Sequence, residues 1–83
     1  MYQVIFTPKA EKQLAKLPKD IRIRILQALK KIRIRPESYL TKLVDDSAYK
    51  LRVGDYRIII DIIYHKLVLL VVKVGHRKNI YKI

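Results

Sequence analysis

Between Tyr49 and Val74 the chain carries three apolar runs, Tyr49 to Val53, Tyr56 to Ile63 and Leu67 to Val74, parted only by Gly54-Asp55 and by Tyr64-His65-Lys66. Connections that short join antiparallel neighbours, because a parallel return needs a crossover of about a dozen residues or more. The runs therefore predict a β-meander, and the rest of the chain has to pack around it. Glycine at the first central position of the first connection suits a two-residue type II′ turn, which pairs Val53 with Tyr56 and Arg52 with Arg57. Side chains alternate along a strand, so Leu51, Val53, Tyr56, Ile58, Ile60 and Ile62 share one face while Lys50, Arg52 and Arg57 share the other. The first face is a core surface. The second sets like charges across from one another at a cost of about 0.2–1 kcal/mol per pair, an arrangement that makes sense if an anion sits among them.

Ahead of the meander, Tyr2 to Phe6 reads as a strand and Thr7-Pro8 as a helix start, with threonine at the N-cap and proline at the first helical position. That helix runs from Pro8 to about Lys16. Leu17-Pro18-Lys19-Asp20 restarts the chain, and Ile21, Ile25, Leu29 and Ile32 then recur at helical spacing, with Leu26 and Ala28 widening the stripe. The second, longer helix stops before Pro36, since the residue preceding a proline is pushed out of helical geometry. Its Arg22, Arg24, Lys30, Lys31, Arg33 and Arg35 read mostly as a solvated face. Glu37 to Ser47 reads as a loop. Gly75 breaks the third apolar run, and Asn79 to Ile83 makes a terminal strand. Two helices before a meander give an α+β fold: an amino-terminal strand and a two-helix hairpin packed on one face of a mostly antiparallel twisted sheet, with the other face open. Residues 1–83 form a single domain.

Nineteen Lys and Arg stand against seven Asp and Glu, a formal charge of +12. The excess points to a polyanion, and to RNA or DNA rather than a membrane surface, because the cations are spread over helices and strands alike. A thermophile-style surface would mix glutamate with lysine, yet glutamate occurs only as Glu11 and Glu37. A domain this small buries only about 60% of its unfolded surface, so a stabilising partner is expected. The chain has no cysteine, which excludes disulfides and thiolate metal sites and suits a reducing cytoplasm. No signal peptide precedes the first strand, and the longest clean apolar run, Leu67 to Val72, falls far short of the about 20 residues that span a bilayer.

A second dense segment is Gly75-His76-Arg77-Lys78-Asn79-Ile80-Tyr81. Arg77 joins Lys50, Arg52 and Arg57 as a fourth cation of the sheet, whereas Lys78 reads as a solvated turn residue. His76 is a candidate acid, base or RNA contact; His65, in a hairpin turn, is a solvated imidazole. Asp45 and Asp46 diverge if extended and Asp61 is isolated among isoleucines, so the sequence offers no converging carboxylates for a metal-dependent nuclease. Chemistry here is expected to be metal-free, without a cofactor, and led by cations. When an RNA 2′-hydroxyl attacks its neighbouring phosphate, charge gathers on the phosphoryl oxygens, and fixed guanidinium groups stabilise that charge. Arginine binds such oxygens in a bidentate fork, while lysine can also surrender its proton and act as a base. Tyr81 either stacks on a base or orients the phosphate, or is a strand aromatic half-packed on the sheet.

These residues resemble the RelE/ParE superfamily of toxin–antitoxin toxins. The likeness covers the whole chain, and rests on Tyr49-Lys50-Leu51-Arg52, the Gly54-Asp55-Tyr56-Arg57 turn, and the late Gly75-His76-Arg77 followed by Tyr81. It implies a microbial RNase-like fold and, for the RelE branch, metal-independent cleavage of mRNA in the ribosomal A site, leaving a 2′,3′-cyclic phosphate and a 5′-hydroxyl. By that resemblance Lys50 or Arg52 would promote 2′-hydroxyl attack, Arg57 would stabilise the phosphorane, Arg77 would assist departure of the 5′-oxygen and Tyr81 would orient the nucleotide. Arginine at position 52 is a poor base, which leaves that task to Lys50, and His76 offers a substitute. The resemblance also implies a cognate acidic, partly disordered antitoxin of the RelB kind, bound in a hetero-oligomer, and the ribosome as the working partner. The alternatives are a ParE-like toxin that acts on DNA gyrase without nuclease activity, and a small basic RNA-binding module.

Overall fold

Thr7 and Pro8 turn the chain from strand into helix. In the computed structural model, which describes residues 1–44 and 47–79, strand β1 (Gln3–Phe6) gives way to helix α1 (Pro8–Ala15). The Thr7 Oγ1 accepts from the Ala10 N–H at 3.1 Å, satisfying one of the amides left open at a helix start. Helix α2 (Lys19–Lys31) follows at once and buries Ile25 and Leu29, with Ile32 as its buried C-cap. It ends at Lys31, five residues ahead of Pro36, within the limit that the proline sets.

The remaining strands are β2 (Thr41–Lys42), β3 (Tyr49–Val53), β4 (Tyr56–Ile63) and β5 (Val68–His76), and the sheet order is β1-β5-β4-β3-β2. All pairings are antiparallel except β1 with β5. The helices supply Ala10, Ile25, Leu29 and Ile32 to a core whose other side is Leu51, Ile58, Ile60, Leu69, Val71 and Val74. Arg33 ties the end of α2 to β1: its Nε donates to the Tyr2 carbonyl at 2.7 Å, and its own carbonyl accepts from the Tyr2 N–H. No helix among the described residues is long and apolar enough to cross a membrane.

Because β1 ends beside Val71, the edge of β5 beyond it needs another partner. Gln13 of α1 provides one, its Oε1 accepting from the Val74 N–H at 2.8 Å. Gln13→Ala leaves that half-buried amide without its acceptor, at a cost of about 1–2 kcal/mol. The expected result is a Tm lower by roughly 4–8 °C per kcal/mol, together with faster hydrogen exchange at the Val74 amide than at its neighbours.

Several expectations need correction. The Glu37–Ser47 loop contains order: a 3₁₀ turn at Pro36–Ser38, and β2, which pairs Thr41 with Lys50 and Lys42 with Tyr49. Two residues of an edge strand are too short to leave a period-2 signal. Gly75 does not break the third run; it lies within β5 opposite Arg57, where the β4 ladder continues regardless of the missing side chain. The run itself starts one residue late, because Leu67 takes a left-handed conformation at the end of the Tyr64–Lys66 turn. Helices cover one face of the sheet, as expected, but the other is only partly open. Leu43 and Ala48 pack there with Ile59 and Val72. Register slips between Ile59 and Ile60, which pair with Lys73 and Val71 and leave Val72 as the extra residue of a bulge. Without that bulge Val71 and Val74, three apart, could not both face the core. Of the expected Asn79–Ile83 strand, Asn79 lies in a turn, its N–H bonded to the His76 carbonyl, and residues 80–83 lie outside the described residues.

Candidate functional site

The β3–β4 hairpin forms with the register expected from Gly54-Asp55: Arg52 pairs with Arg57 and Val53 with Tyr56. Gly54 has φ +58°, whereas Asp55 is not among the residues of positive φ, the combination of a type II′ turn. Leu51, Ile58 and Ile60 are buried beneath the helices, so alternation puts Lys50, Arg52 and Arg57 on the opposite face. Arg57 is the middle member of a row. On one side stands Arg52, and on the other Gly75 leaves a notch free of side chain. The next row is Lys50, Ile59 and Lys73.

Contacts to the turn hold Arg57 and Arg77 in place. Arg57 Nη1 donates to the carbonyls of Gly54 and Tyr56, both at 3.0 Å, which fixes the guanidinium at the turn. Its Nε and Nη2 make no bond among the described residues. Arg77 continues the β5 edge past His76, its N–H donating to the Asp55 carbonyl at 2.8 Å and its Nε lying 3.6 Å from Asp55 Oδ1. An ion pair this exposed contributes little energy, but it orients the side chain. Arg52 and Arg57 thus share a row with Gly75, Lys50 lies in the next row, and Arg77 lies two residues past Gly75.

His76 is not brought to them. It pairs with Tyr56 across β4 and β5, on the helix-side face, with the rings edge to face at 5.4 Å. Its Nδ1 accepts from the Lys78 N–H at 3.2 Å. Treating Gly75 to Arg77 as a turn allowed all its side chains to converge; because the strand persists through His76, alternation sends His76 to the face opposite Arg57. Tyr81 lies outside the described residues. Lys73 was missed, although counting back in twos from Arg77 through Gly75 would have found it. At the far end of the hairpin the Tyr49 and Tyr64 hydroxyls lie 3.3 Å apart, and that hydrogen bond, with a smaller desolvation effect, pushes the Tyr64 phenol up to about 12.

A sequence model of the family described as the ParE toxin of the type II toxin–antitoxin system, parDE, matches residues 4–81. The chain belongs to that family: it is a RelE/ParE-superfamily toxin. Solved structures agree in fold. The toxin superposes on a chain of the RelBE toxin–antitoxin complex from Mycobacterium tuberculosis with a TM-score of 0.84 at 26% identity, covering 92% of this chain and 98% of that one. For the isolated Escherichia coli RelE toxin the score is 0.78 at 25% identity, with 92% and 84% covered. For the RelB–RelE complex from Methanococcus jannaschii it is 0.73 at 28% identity, with 94% and 95% covered. No curated protein matches the sequence.

Proposed function

We propose that this toxin is a ribosome-dependent, metal-independent mRNA endonuclease of the RelE kind. The observation that carries the reading is the row Arg52–Arg57–Gly75, with Lys50 and Arg77 at its borders. A phosphate placed over the side-chain-free notch at Gly75 would approach Arg57 and Arg77, whose side chains are anchored to the turn before it arrives, the condition under which charge stabilisation is strongest. In the reaction Lys50 takes the proton of the 2′-hydroxyl, the 2′-oxygen bonds to phosphorus, and the phosphorus–5′-oxygen bond breaks. Arg57, backed by Arg52, stabilises the phosphorane; Arg77 favours departure of the 5′-oxygen, which takes a proton from solvent; Tyr81 orients the nucleotide. The products are a 2′,3′-cyclic phosphate and a 5′-hydroxyl end.

The partner is an acidic antitoxin of the RelB kind, as the complexes formed by its structural relatives suggest. A groove of about 310 Å³ between β1 and α2, lined by Val4, Phe6, Leu26 and Leu29 and rimmed by Lys30 and Arg33, suits an amphipathic acidic segment. A second reading, a ParE-type toxin that disables DNA gyrase without cutting RNA, is favoured by the description of the matching family. Arg77→Ala separates the two. Loss of toxicity in cells, with antitoxin binding intact, is the result expected of a nuclease; a variant as toxic as the parent would favour gyrase, with the cations only a docking surface.

A further inference from the structure

The space that a side chain at Gly54 would fill is already occupied. Arg24 of α2 lays its guanidinium there, with Nη2 3.3 Å and Nη1 3.6 Å from where a Cβ would stand. Arg57 Nη1 meets the carbonyl oxygen of the same glycine at 3.0 Å. Ordinary bond lengths then put the two guanidinium groups less than about 10 Å apart, on the order of one Debye length in physiological salt. Arg24 is exposed, and its side chain makes no hydrogen bond or ion pair among the described residues. The nearest carboxylate at the turn, Asp55, is taken by Arg77. Two like charges braced on one turn, with no ion pair to Arg24 among the described residues, form an arrangement that the fold itself does not require.

We infer that Arg24 binds a backbone phosphate of the RNA outside the scissile position, so that the strand passes from the Arg52–Arg57 face over the β3–β4 turn to α2. The inference rests on the nuclease reading. RNA is favoured over an acidic protein segment because Arg24 continues the cationic row around the turn rather than facing the apolar groove at β1. A phosphate contact of this kind adds affinity and salt dependence, and leaves the chemical step untouched.

The test uses the purified full chain and a fluorescent single-stranded 2′-O-methyl oligoribonucleotide, which has no attacking hydroxyl and stays intact. Arg24→Gln is expected to bind more weakly at 50 mM salt, with a log–log salt slope shallower by about 0.7, so that its deficit narrows about 2.5-fold by 200 mM. Arg24→Lys keeps the slope, and Lys9→Gln, an exposed cation on α1, serves as the control for losing one charge. A slope for Arg24→Gln equal to that of Lys9→Gln overturns the inference, whether or not the Tm falls, and leaves Arg24 as a brace for the turn. So does a defect confined to antitoxin binding. If the parent chain binds no oligoribonucleotide, the inference is overturned, while the nuclease reading is decided separately by cleavage on programmed ribosomes.

Discussion

Arg57→Ala is expected to slow cleavage of ribosome-bound mRNA by about 10²–10³-fold, the range measured when one fixed donor to a developing oxyanion is removed. Arg57 is the central cation of its row, between Arg52 and the notch at Gly75. One end of its guanidinium is spent on the carbonyls of Gly54 and Tyr56. The rest is therefore held beside the turn, on the row that ends at Gly75, without further ordering when the phosphate becomes pentavalent. Arg57→Lys should recover only part of the loss, because an ammonium keeps the charge but not the fork or the anchoring to the turn. Single-turnover rates on programmed ribosomes measure the effect, and unfolding curves show that both variants remain folded. A rate within a few-fold of the parent would mean that Arg57 docks a partner and does not act on the phosphate.

Ile60→Ala is expected to remove about 3 kcal/mol of stability, within the 2–5 kcal/mol typical of an emptied aliphatic core site. Ile60 has no exposed surface and lies at the bulge, paired with Tyr49 on one side and Val71 on the other. Strands on both sides hold the backbone, so the cavity cannot close by collapse. Against a total of about 5–15 kcal/mol for proteins in general, and a domain at the small end of the range, that loss leaves little. Urea unfolding of the free toxin should show a midpoint far below the parent's, with Ile60→Val costing about 0.5–1.5 kcal/mol. A midpoint unchanged by the alanine would contradict the placement of Ile60 at the heart of the core.

The hairpin was legible because two local rules agreed there: glycine at the turn and strict alternation in Tyr49 to Val53 and Tyr56 to Ile60. The same agreement put Lys50, Arg52 and Arg57 on one face. The helices were legible for a similar reason, from the Thr7-Pro8 start and the spacing of Ile21, Ile25, Leu29 and Ile32. What stayed hidden depended on neighbours distant in sequence. Gly75 reads as a breaker by itself, and only the ladder from β4 keeps it in a strand. Once it stays there, His76 belongs with Tyr56 and not with Arg77. The bulge that turns Val72 outward, and the pairing of Thr41 with Lys50, likewise depend on register against another strand. The parallel pairing of β1 with β5 joins segments more than sixty residues apart, beyond the reach of any local pattern.

The central claim is that the cations around Gly75 cut RNA, and mapping new 5′ ends on a programmed mRNA tests it most directly. The purified toxin is added to a translation mixture with and without ribosomes. The account predicts cuts within the A-site codon that carry 5′-hydroxyl ends, require the ribosome and disappear in Arg77→Ala. Intact mRNA under conditions where the toxin still arrests growth would contradict it, and would turn attention to gyrase.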